Sequence, residues 1–247
     1  RKFHILLKIQ EVINIGADVN SILRSMRNAG KLMDIKGKGD LGEDAVLNLC
    51  LEFKRGCNGI LIQSFQYPYA SNREGKNYIG NIKYENGEYF EVTDRQGLED
   101  EIDILLITPY RIFPIEVKAY KANIQIYDHW MKRDNNGPGK PKGMIEVDKS
   151  PVAQAEKHAR HLYHQLSPVL PDGQPSYIVP IVCFVDKSVI DDDRSAANQA
   201  YLPVTILNTL VSTLSKYNVP LRYGLDLDAV RRKLKEIKIS TRKEFGL

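Results

Sequence analysis

The chain has 247 residues, 43% of them hydrophobic and 27% charged, with a net charge of +4. That is ordinary globular composition, enough for one large domain or one domain with additions, and the charge excess alone does not imply a nucleic-acid partner. No run of 18 apolar residues occurs, so no membrane-spanning helix is expected.

In chain order, residues 3–34 read as helical, with Leu6, Ile9, Val12 and Ile13 at helical spacing and a break near Gly16. Asp40, with Glu43 three positions on, reads as an N-cap opening a second helix. Val46, Leu49, Cys50 and Phe53 form its apolar stripe, and Gly56 ends it. Residues 59–66 read as a strand, and 77–92 as a hairpin turning at Asn86-Gly87. Two apolar runs follow, IDILLIT and IFPIEVK, joined by a short turn. Residues 119–149 read as irregular, with NIQIYDHWMK as a strand and RDNNGPGKPKG as a loop. Ser150 and Pro151 suit the N-cap and first turn of a helix through SPVAQAEKHARHLYHQL. SYIVPIVCFVD reads as a buried strand, 204–217 as a helix, and 226–238 as a basic amphipathic helix. Helices and strands in this order predict an α/β fold, a mixed sheet flanked by helices.

The charges in IFPIEVK need an account, because a charge in a packed strand is costly to desolvate. Alternation puts Glu116 and Lys118 on one face and Ile115 and Val117 on the other. If IDILLIT pairs beside this strand through the short turn, Asp103 reaches the same end of the sheet. Two carboxylates there repel unless a cation sits between them. All-oxygen ligation suits Mg²⁺ or Mn²⁺, and Lys118 beside it can orient a water and offset phosphate charge. Metal-assisted phosphodiester hydrolysis is the chemistry this points to. A solvent-facing Glu–Lys pair would give the same short pattern.

Gly42-Glu43 at a helix start, Asp103 in EIDILLITPYRIFPIEVKAY, Trp130 and SPVAQAEKHARHL together resemble the NERD, or nuclease-related, domain of the PD-(D/E)xK nuclease superfamily, over about residues 38–185. The resemblance implies a restriction-endonuclease-like fold with helices added at both termini. It implies that Glu43 is the glutamate of the first helix, Asp103 the metal-binding aspartate, Glu116 and Lys118 the E-x-K pair, and Gln154 the glutamine of the following helix. It also implies that the Val117 carbonyl helps Asp103 and Glu116 hold the metal. The implied substrate is nucleic acid, DNA first and RNA as the alternative. Residues 67–98 are a longer excursion than the family pattern leads one to expect, and Pro114 inside the E-x-K strand removes a ladder donor, marking a bulge, a bend or an edge.

Lys132, Arg133, Lys140 and Lys142, on and beside the turn-rich loop, are candidate contacts to a nucleic-acid backbone. The cations crowding the C-terminal stretch are either the same or a solvated face. Glu99, Asp100 and Glu101 read as a solvated turn, His158, His161 and His164 as the polar face of a helix, and Trp130 as a local core plug. The expected organisation is a helical extension over 1–36, a nuclease-like domain over 37–220 and a basic helix over 221–247. Three cysteines, Cys50, Cys57 and Cys183, fit a reducing compartment, hence the cytoplasm. The chain begins at Arg1, so an anchor upstream stays open. The alternatives to an enzyme are a module that grips nucleic acid without cutting, or a scaffold domain of a larger assembly.

Overall fold

A computed structural model describes residues 35–68, 77–83, 89–94, 99–119, 122–127, 131–134, 143–147, 150–185 and 189–247. The expected helices of 3–34, the turn at Asn86-Gly87, Trp130, Lys140 and Lys142 lie outside these residues. Helix α1 spans Ile35–Arg55, followed by strands β1 (Ile60–Pro68), β2 (Asn77–Lys83), β3 (Tyr89–Asp94), β4 (Glu99–Ile107) and β5 (Ile112–Lys118). Short strands β6 (Asn123–Ile126), β7 (Met131–Asp134) and β8 (Met144–Glu146) precede helix α2 (Pro151–Leu166). Then come β9 (Ile181–Phe184), β10 (Val189–Asp192), α3 (Ala196–Tyr201), β11 (Val204–Ile206), α4 (Leu210–Tyr217), α5 (Leu227–Ile237) and β12 (Lys243–Phe245).

The architecture is mixed α/β. The main sheet has the order β11-β9-β5-β4-β1-β12, antiparallel from β5 to β12 and parallel from β5 through β9 to β11. Strands β10-β6-β7-β8 form a second sheet, and β2-β3 a hairpin. Alternation along β5 divides the main sheet's two sides. Phe113, Ile115 and Val117 pack with Ala45, Val46 and Leu49 of α1 and Leu210 and Leu214 of α4. On the other side Ile60, Leu105 and Ile112 pack with Leu162 and Leu166 of α2 and Val230 and Leu234 of α5. Each such fully buried aliphatic side chain stabilises by about 1.5–3 kcal/mol. Among the described residues no helix is long and apolar enough to cross a membrane.

Several expectations change. Asp40 lies inside α1, and its carboxylate faces Arg242 rather than capping a helix. Among the described residues, 119–149 hold three strands, with β6 and β7 both drawn from NIQIYDHWMK and the residues after it. Residues 204–217 begin as strand β11, and α4 follows only from Leu210. Glu99–Glu101 belong to β4, not to a turn. Ser150 stands at the α2 N-cap, but its side chain makes no capping bond.

Pro114 is not at an edge, since β5 lies between β4 and β9. Its ring nitrogen costs one bond to β9. The isolated bridge Ile112–Ile178 and the ladder beginning at Ile115–Ile181 share one register, which sets Pro114 level with Pro180. Pro114 has no N–H to leave unpaired, so the gap carries no orphan donor, while the Pro180 nitrogen turns, like the Val182 N–H, to the β11 side.

Gly59, just before β1, is required by close approach. A Cβ there would sit 2.1 Å from the carbonyl oxygen of Ile107 at the end of β4. Gly59→Ala is expected to pry β1 from β4 and lower stability by about 1–3 kcal/mol. A urea unfolding midpoint equal to the parent's would contradict it.

Candidate functional site

The β4–β5 ladder runs from Ile107–Ile112 to Ile104–Ile115 and stops. The next residues, Asp103 and Glu116, open the site. Lys118 accepts a backbone bond from Val185 of the β9 side, so the peptide of its neighbour Val117 faces β4. There the Val117 N–H meets no ladder carbonyl. It donates instead to Asp103 Oδ2 at 2.7 Å. The Asp103 carboxylate thus takes over where β4 backbone leaves off, and the Val117 carbonyl lies on the same side, past the last ladder pair.

A kink aims Asp103. Between the pairs Gln63–Ile104 and Phe65–Ile102 the β1–β4 register does not slip, yet the faces invert. Leu61 packs on the α1 side and Gln63 reaches Asp44 of α1, whereas Phe65 and Tyr67 pack on the α2 side. Ser64 carries the inversion with φ 52°, a conformation uncommon for a residue with a side chain. Asp103 sits across from it.

Glu116 and Lys118 project to the α2 side, level with Val182 and Phe184 of β9. Glu116 is 3% exposed. One of its oxygens, Oε1, is paired with the Lys118 ammonium. The other, Oε2, lies 3.4 Å from His158 Nδ1 of α2. That contact lacks hydrogen-bond alignment, and Oε2 has no hydrogen-bond donor among the described residues. Burial, and then the Glu116 charge, push the Asp103 carboxyl up to about 7. The Val117 N–H and Lys118 pull the other way.

Glu43 of α1 adds a further like charge to the Asp103 field. Its own carboxyl is raised by burial and by Asp40, against the pull of Arg242 and Gln63. Buried Gln63 donates to Asp44 at 3.2 Å, and its Oε1 has no partner among the described residues. Gln154 is half-buried in the first turn of α2, one turn before His158. Lys132 and Arg133 are half-buried on β7 of the second sheet.

His158 and His161 are buried, contrary to the expected polar helix face. His158 is a site neighbour that the surface-face reading sets aside. Its position four residues after Gln154, on the same helix face, points to the site, but polarity alone favours a wet face.

The donor set fits a hard divalent cation. Two carboxylates, Glu116 with an oxygen lacking a donor among the described residues and Asp103 raised by burial and then by the Glu116 charge, lie near the Val117 backbone. A magnesium-like ion keeps several waters and needs only one or two carboxylates. Among the described residues no group of three or more His, Cys, Asp and Glu side chains is placed to hold a metal.

The comparison with protein families finds that the model of the nuclease-related domain, NERD, matches residues 38–185. No curated protein and no solved structure matches the chain.

Proposed function

We propose that this chain, which belongs to the NERD (nuclease-related domain) family, hydrolyses the phosphodiester bonds of nucleic acid with a divalent metal, on a restriction-endonuclease-like fold. The observation that carries the reading is half-buried Asp103 set against buried Glu116, with Lys118 beside them, where the β4–β5 ladder ends. A binding surface gains nothing from two neighbouring like charges, one of them out of water, whereas a metal-dependent hydrolase requires such a pair. Asp103, Glu116 and the Val117 carbonyl would hold Mg²⁺ or Mn²⁺, which when bound supplies a Lewis acid and lowers the pKa of a water. The Lys118 ammonium orients that water and offsets charge developing on the phosphate. Glu43 and Gln154 steer the lysine and the surrounding waters. Lys132 and Arg133, with Lys140 and Lys142, hold the backbone of the substrate. DNA is the proposed polymer.

A second reading has its own support. Glu116 already has Lys118 and His158 as neighbours, and no third metal-ligating side chain joins the pair among the described residues. These observations favour a module that grips nucleic acid without cutting, or a scaffold domain. Plasmid, linear duplex, single-stranded DNA and RNA incubated with Mg²⁺, Mn²⁺ or EDTA separate the two. Cleavage with either metal and none with EDTA is the expected result. Binding without cleavage of any polymer would make the non-cutting module the better reading.

A further inference from the structure

We infer that the C-terminal segment is a phosphate-backbone contact, extending the substrate path along the β1 side of the sheet. It rests on the reading that the domain acts on nucleic acid. The segment lies outside the residues matched by the family model, which end at 185.

Register places it. Strand β12 pairs antiparallel with β1, setting Lys243 opposite Gln63. Gln63 is opposite Ile104, and Ile104 opposite Ile115. Lys243 therefore stands at the sheet end that carries Asp103 and Glu116, two strands from β4. At about 4.8 Å per strand that is about 10 Å. A nucleic-acid strand carries a charge every ~3.4 Å of axis, so a polymer with one phosphate at Asp103 has others within reach of β12.

Helix α5 leads to the same place. After its last turn the Ile239 N–H donates to the Gln66 carbonyl at 2.8 Å, so the helix ends beside the site end of β1. Arg232, Lys235 and Lys238 recur at three-residue spacing along α5 and its C-cap, and so share a stripe. Arg232 and Lys235 are exposed and make no salt bridge among the described residues. Lys243 pairs with Asp44 at 3.0 Å and Arg242 with Asp40 at 3.3 Å. These are exposed pairs of the weak kind, and they exchange for phosphate at little cost. Residues 226–247 hold seven Lys or Arg against four Asp or Glu, so their own acids cannot neutralise them. Charge complementarity then selects a polyanion as the occupant.

The test is a salt titration of labelled duplex and single-stranded DNA by fluorescence anisotropy, with Ca²⁺ in place of Mg²⁺, on the full chain. Arg232→Gln/Lys235→Gln and Arg242→Gln/Lys243→Gln are compared with Lys216→Gln/Arg222→Gln. The last pair removes the same charge near Asn218, which bonds Thr108 at the opposite sheet end. Each tail variant is expected to lower the log–log salt slope by about 0.7–0.9 per lost phosphate contact, and the control to leave it unchanged. Circular dichroism checks that each is folded. If the parent binds and both tail variants keep its slope, or the control falls equally, the tail is a solvated face and the inference is overturned while the nuclease reading stands. A parent that binds with tail-dependent slope but never cuts keeps the surface and removes hydrolysis. A parent that binds no nucleic acid overturns both.

Discussion

Lys118→Ala is expected to lower metal-dependent cleavage by about 10²–10³-fold while leaving nucleic-acid affinity nearly intact. The lysine is one of many cations available to a phosphate backbone, but few groups can orient the attacking water. Contacts made where charge develops in the transition state weigh on rate rather than on binding. The structure adds a second effect. Glu116 is buried, and Lys118 is its cationic partner. Removing the lysine leaves a carboxylate out of water with its charge uncompensated, a loss of about 1–3 kcal/mol after allowing for the partial exposure of Lys118. Thermal melts should therefore show Lys118→Ala folded but less stable than the parent. Lys118→Ala/Glu116→Gln, which no longer carries the Glu116 charge, should recover much of that stability and remain inactive. Single-turnover cleavage beside a Ca²⁺ binding titration reads both quantities. A folded Lys118→Ala that cuts at the parent rate would remove the lysine from the chemistry.

The strand content of this site was legible because alternation is a local property. IFPIEVK announces two faces by itself, and Ile115 and Val117 do pack toward α1 while Glu116 meets α2. The aim of Asp103 was not legible. It depends on an inverted pleat at Ser64, 39 residues away in sequence, and serine carries no mark of a left-handed backbone. The helix start was misread for a related reason. Gly37 and Gly39 look like breakers, but each costs only about 1 kcal/mol in a helix, and α1 runs through them. Asp40 then finds its partner in Arg242 rather than in the helix end. Such a pairing across some two hundred residues has no signature in either stretch. Strand β12 is three residues long, too short for any periodicity to show. The buried histidines were misjudged because polarity suggested a wet face. What fixes them is the sheet beneath α2, which composition does not reveal.

Asp103→Asn is expected to abolish cleavage and, without metal, to raise stability at pH 8. Burial and the Glu116 charge push the Asp103 carboxyl up to about 7, from an ordinary value near 3.8. The folded state then holds a proton that the unfolded chain has released. Stability from this group is complete below about pH 4 and is lost as pH rises toward 7, because deprotonation leaves a desolvated carboxylate facing the charge of buried Glu116. Asparagine removes that titration and still offers an oxygen to the Val117 N–H. Variant and parent should therefore melt alike near pH 4 and diverge up to about pH 7, with the variant the more stable. At 1.36 kcal/mol per pH unit the gap has an upper bound of about 4 kcal/mol. Divalent metal should act in the opposite sense. An ion that binds only the folded parent stabilises it by mass action, so Mg²⁺ should raise the parent's melting temperature and leave the variant's nearly fixed. A parent whose melting temperature does not respond to Mg²⁺ or Mn²⁺ at any concentration would argue against a metal at Asp103 and Glu116. A variant that melts below the parent at pH 8 without metal would show that the Asp103 charge is compensated within the protein, and the cost assigned to the carboxylate pair would have to be withdrawn.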